Sequence, residues 1–176
     1  MMMTFFYISA AVALISSVLA ISRSNAVHAL LYAIVSLLSV ALIFFMLGAP
    51  FAAALEVVIY AGAIMVLFVF VIMMISSGPG STQQERRWMN FRLWIGPSVL
   101  SAVLIIELFA VMSPPREPMN AKPVIESKQV GIALMGPYML GVELSSLLLT
   151  AGLVGAYHLG KRKDDAAQTA DVTIHD

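Results

Sequence analysis

Apolar residues run along this chain in five long blocks, separated by short polar or proline-bearing stretches. Each block is long enough for a helix that crosses a bilayer, which takes about 20 residues. The pattern predicts helices over residues 4–21, 26–47, 52–75, 91–112 and 137–160. The expected fold is all-α: an integral membrane protein with five transmembrane helices, forming one domain over residues 1–160. Residues 161–176 are polar and aperiodic, and read as a disordered tail.

The breaks between blocks set the connections. The first block has no basic residue ahead of it and Arg23 just behind it, the reverse of a signal peptide's charge order, so it reads as a retained span. Gly48-Ala49-Pro50 leaves room only for a tight turn, which makes the second and third helices antiparallel neighbours. Pro50 suits a first helical turn, where a missing N–H costs nothing. The third helix stops at Ser76-Ser77-Gly78-Pro79-Gly80, and a polar loop carrying Glu85, Arg86 and Arg87 follows. Gly96-Pro97 predicts a kink or a late start in the fourth helix. Residues 113–130, with Pro114, Pro115, Pro118 and Pro123, read as an extended loop outside the membrane.

Arg23, Arg86, Arg87, Arg92, Lys161, Arg162 and Lys163 fall on one side of such a bundle, and only Arg116, Lys122 and Lys128 on the other. The positive-inside rule then expects the N-terminus outside, in the periplasm, and the C-terminus in the cytoplasm. Aromatic residues stand where an interfacial belt needs them: Phe5, Phe6 and Tyr7, Trp88 and Trp94, and Tyr138. Small residues recur four apart, as in Ser9, Ala13 and Ser17 of the first helix and Gly141/Ser145, Ala151/Gly155 and Gly152/Ala156 of the fifth. Such faces are expected to be buried against other helices, so partner proteins are expected.

Composition narrows the function. The chain is 60% hydrophobic and 11% charged, with mean hydropathy +0.92, outside the range of a soluble domain. Zero net charge leaves no electrostatic footprint for nucleic acid. The absence of cysteine removes disulfides, thiolate nucleophiles, Cys-held zinc and Cys-held iron–sulfur clusters. No phosphate loop, HExxH motif or nucleophile–base pair is present, so the chain alone does not read as an enzyme.

The candidates for chemistry are acids inside the spans. The stretch PFAAALEVVIYAGAIMVLFVFVIMMIS, residues 50–76, is apolar but for Glu56 and Tyr60, and Gly62 weakens the helix one turn further on. Glu56 and Tyr60 are four apart and share a face. An ionisable group inside a span is costly to insert and is a functional hypothesis by default; snorkelling to the headgroups is the equal alternative. Gly62 either admits a π-bulge, a feature concentrated at functional sites, or simply permits close helix contact. Glu107 and Glu143, in the fourth and fifth helices, are secondary candidates. Snorkelling or an interhelical hydrogen bond is the first expectation for both. His28 and His158 lie near helix ends and are expected to be headgroup anchors rather than haem ligands.

The stretches NAVHALLYAIVSLLSVALIFFMLGAPFAAALEVVIYAGAIMVLFVFVIMM and YMLGVELSSLLLTAGLVGAYHLGKR give the chain a resemblance. It resembles subunit J of the bacterial proton-pumping NADH:quinone oxidoreductases (respiratory complex I), the counterpart of mitochondrial NADH dehydrogenase subunit 6. The resemblance implies a multi-pass subunit of the bacterial inner membrane at the joint between the quinone-reducing module and the antiporter-like subunits, which would be its partners beside the lipid. It implies a π-bulge at Tyr60 and Gly62 that switches to regular α-helix, and a proton path on or near which Glu56 lies. It also implies that NADH, FMN, iron–sulfur clusters and quinone belong to other subunits, with no cofactor on this chain. The rival readings are a purely structural assembly subunit and an independent small transporter. Five spans without visible internal symmetry argue against the transporter.

Overall fold

The structure is a computed structural model and describes residues 2–75, 91–113 and 124–160. Arg86, Arg87, Trp88, the prolines between 114 and 123, and the tail 161–176 lie outside the described residues, as does the side chain of Arg92. Every element among the described residues is helical. The first two helices are α1, Met2–Ser22, and α2, Ala26–Met46. The third, α3, covers residues 50–75 in three continuous pieces: α-helical Pro50–Leu55, a π-helix over Glu56–Ile64, and α-helical Met65–Ile75. Then come α4, Phe91–Met112, α5, Ser127–Met135, and α6, Met139–Gly160. Among the described residues, five stretches are long and apolar enough to cross a membrane: those of α1, α2, α3, α4 and α6.

Local chemistry fixes the helix ends. The Asn25 side chain accepts a hydrogen bond from the Val27 N–H at 2.9 Å and so caps α2 at its start. At its other end Gly48 takes φ 83°, its N–H donates to the Phe45 carbonyl, and the Ala49 N–H reaches back to Phe44. This is a Schellman closure, which favours glycine at the left-handed position. Pro50 opens α3 two residues later, at its first helical position. The tight turn expected from Gly48-Ala49-Pro50 is present.

Residues 1–127 form one compact unit. Within it α2 is central and packs against α1, α3 and α4, while α1 also meets α4. Val12, Val35, Leu42, Met46 and Leu104 make the core, with Phe5, Phe6 and Leu100 packed against it. Between α2, α3 and α4 lies an apolar cavity of about 460 Å³, bordered by Leu42, Phe45, Ala53, Val57, Leu104 and Leu108. α4 runs helical through Pro97, which is buried, so the helix starts at Phe91 despite the Gly-Pro pair.

Residues 128–176 form the second compact unit. Its α6 is exposed along its whole length, and a Cβ at Gly141, Gly152 or Gly155 would meet nothing within 4 Å. One expectation needs correction here. Residues 127–130 belong to α5 rather than to an extended loop. Once past Pro123 the sequence holds no further proline until Gly136-Pro137, where α5 ends and a short turn leads into α6.

Candidate functional site

α3 carries the acid, phenol and glycine of the sequence reading, and all three fall in its π segment, Glu56–Ile64. At the far end of the segment the Met65 N–H is shared between the Gly62 carbonyl and the Tyr60 carbonyl, the latter five residues back rather than four. At the near end the Glu56 N–H is shared between Ala52 and Ala53. The local sequence explains why a wider turn is tolerated. Val57, Val58 and Ile59 are β-branched in succession and crowd the preceding turn, while Gly62 has no side chain to hold the ladder. A Cβ at Gly62 would stand 3.2 Å from the Val57 carbonyl oxygen, tighter than ordinary contact.

No residue of the π segment is fully buried. Tyr60 is half exposed, Glu56 and Gly62 partly covered, and Val58 faces out. No lysine or arginine occurs in residues 50–75 to neutralise Glu56. The polar residues of α3 are thus presented away from the chain's own core.

Of the two arrangements expected for Glu107, snorkelling or an interhelical hydrogen bond, its burial excludes the first. The residue is 2% exposed, turned into the seam between α1, α2 and α4. Its carboxyl group stands against Ser9 of α1. Neither carboxylate oxygen, nor the Ser9 hydroxyl, closes a hydrogen bond within the described residues. The snorkelling expectation failed because a uniformly apolar helix does not reveal which of its faces another helix covers. Glu143 stands exposed on α6, and its backbone carbonyl accepts from the Ser146 hydroxyl at 2.7 Å.

His28 also departs from expectation. It is buried beside Trp94, with ring centroids 6.4 Å apart in an edge-to-face arrangement, so it is not a headgroup anchor. Arg23 lies over the Tyr32 ring at 5.5 Å, and Tyr32 in turn is buried against Gly96 of α4. His158 is exposed near the end of α6.

The sequence reading missed the polar seam as a unit. Ser39 donates to the Ser9 carbonyl at 2.5 Å, and Ser36 to the Ala13 carbonyl at 3.0 Å. These two bonds fix an antiparallel register between α1 and α2, in which Tyr32 falls level with Ser16. Ser9, Ser16 and Ser39 are completely buried. The face expected from Ser9, Ala13 and Ser17 is therefore rotated: Ser16 enters the seam and Ser17 is exposed. The signal that could have found it is the spacing of His28, Tyr32, Val35, Ser39 and Leu42 on α2, three or four residues apart throughout.

Five bilayer-length apolar helices, with polar groups held at depth, define a multi-pass helical membrane protein. The family described as NADH-ubiquinone/plastoquinone oxidoreductase chain 6 matches residues 16–159, and the chain belongs to it. A Pseudomonas aeruginosa protein named NADH-quinone oxidoreductase subunit J is 53% identical over 166 residues, covering 93% of this chain and 98% of the relative. The Escherichia coli protein of the same name is 48% identical over 174 residues, covering 93% of this chain and 94% of that one. A third relative of that name, from Buchnera aphidicola of Schizaphis graminum, is 51% identical and covers 90% of this chain and 97% of its own.

Proposed function

We propose that this chain is a subunit in the membrane arm of an NADH–quinone oxidoreductase, and that its third helix gates proton movement coupled to quinone reduction. Family membership supports the first part. The π segment carries the second: a weak point in the helical ladder falls on the one stretch of α3 that holds Glu56, Tyr60 and Gly62. Rewinding the segment to α-helix rotates one end of α3 against the other by about 100° for each residue taken up. The apolar cavity beside Ala53 and Val57 gives the near end room to turn, which a close-packed interior would deny.

In this reading Glu56 is a relay or field-sensing carboxylate, Tyr60 a hydrogen-bonding gate and Gly62 the hinge. Their exposure fits a path completed by acids of neighbouring membrane-arm subunits of the quinone module and antiporter-like type, in a bacterial inner membrane. NADH, FMN, iron–sulfur clusters and quinone belong to other subunits of the assembly. The positive-inside pattern sets the N-terminus in the periplasm and the C-terminus in the cytoplasm.

Gly62→Val tests the hinge. The added side chain presses on the Val57 carbonyl and stiffens the turn, so proton translocation per NADH oxidised in inverted membrane vesicles should fall severalfold in a fully assembled complex. Normal pumping by that variant removes the hinge role. A purely structural role predicts instead that complex abundance falls while turnover per complex stays constant.

A further inference from the structure

We infer that Glu107 is a second proton-binding site on this chain, housed in the seam between α1, α2 and α4 and separate from the polar residues of α3. The inference rests on the seam and not on the α3 gate.

Four observations carry it. Glu107 is 2% exposed in the middle of a span, and both its carboxyl oxygens lack a hydrogen-bond partner among the described residues. A bare carboxylate held in such a place requires a cation or several donors, or it must bind a proton instead. The helices packed against it supply no cation at its level. On α1 it meets Ser9, and the titratable residue of α1 nearest in sequence, Tyr7, is 67% exposed. On α2 the neighbouring level holds Ser39 with Val35 and Leu42, while Tyr32 and His28 lie two and three turns toward the start of that helix.

The Ser9 hydroxyl is likewise completely buried and unpartnered, and it stands against the carboxyl group. It can donate to the carboxylate, or accept from the protonated acid, by rotation about one bond. Ser39 has its own donor committed to the Ser9 carbonyl at 2.5 Å, which pins the α1 backbone beside Glu107 and keeps Ser9 in place. The buried polar groups continue along the seam. Ser16 and the Nδ1 of His28 are both unpartnered, with Tyr32 level with Ser16 and His28 one turn further toward the start of α2. Core residues Val12 and Val35 separate these groups from the level of Ser9 and Ser39. Uptake forms an O–H bond on one carboxyl oxygen at the expense of one in hydronium, and release returns the proton to water.

Infrared difference spectroscopy on the assembled oxidoreductase in native membranes tests the site. Exchange of H₂O for D₂O should reveal a carbonyl stretch of a protonated carboxylic acid that is absent from Glu107→Gln. Ser9→Ala, which keeps Glu107, should retain the band but move it to higher frequency as the hydroxyl is withdrawn. Gly62→Val should leave it in place, which separates this site from the α3 gate. The inference is overturned if Glu107→Gln loses only bands of an ionised carboxylate, or if no carbonyl band changes. Should Glu107→Gln fail to assemble, the Ser9→Ala spectrum decides alone: an unshifted spectrum overturns it.

Discussion

At the scale of single residues, Glu56 and Glu107, the acids within the spans of the first compact unit, have opposite surroundings. Glu56 is partly covered on a helix whose π segment buries nothing, whereas Glu107 is enclosed by three helices. Replacing Glu56 by Gln keeps its volume and removes its charge, so the complex should assemble normally while proton translocation per NADH drops severalfold. Full pumping by Glu56→Gln would remove the relay role and leave the fold untouched. Gly96 offers a packing test. A Cβ there would overlap the Tyr32 hydroxyl and press on its ring. Overpacking of this kind destabilises by roughly 1–3 kcal/mol. Gly96→Ala should therefore lower the amount of assembled complex on native gels, and adding Tyr32→Phe should restore part of it. Unchanged abundance in Gly96→Ala would contradict the close approach of α2 and α4.

At the scale of elements, the α1–α2 pair is held by van der Waals packing and two serine hydrogen bonds, since lipid is as good a solvent for leucine as a neighbouring helix. Ser39→Ala deletes the shorter bond, and such bonds average about 0.6 kcal/mol inside membranes. Its thermal inactivation should shift down slightly, with turnover retained; an abolished complex would mean that Ser39 does more than join two helices. The spans and the turn at Gly48-Ala49-Pro50 were legible from the chain because length, proline and glycine act locally. Which face of each helix is covered was not legible. In water a buried face announces itself by being apolar, but every face of these helices is apolar, so Ser16 and Glu107 gave no sign of being enclosed, and His28 only its spacing with Tyr32, Val35 and Ser39. The π segment was legible only as a weakness: Gly62 after a β-branched run allows the wider turn, and nothing in the residues themselves fixes its length of nine.

At the scale of the whole molecule, the exposed length of α6, the outward polar residues of α3 and the family together argue that this chain works inside a larger assembly. Its topology can be read directly because the native chain has no cysteine. A thiol introduced by Ser24→Cys should be labelled by an impermeant reagent from the cytoplasmic side, and one introduced by Ser113→Cys from the periplasmic side. The reverse pattern would invert the proposed orientation and place Glu56 in the cytoplasmic half. The gate itself is tested most directly by mapping α3 in the assembled oxidoreductase, at rest and during NADH-driven pumping. The account predicts that the Met65 N–H bonds to Tyr60 in one condition and to Ala61, the regular α-helical partner, in the other. A map with the same winding of α3 in both conditions, while protons are being pumped, would contradict it.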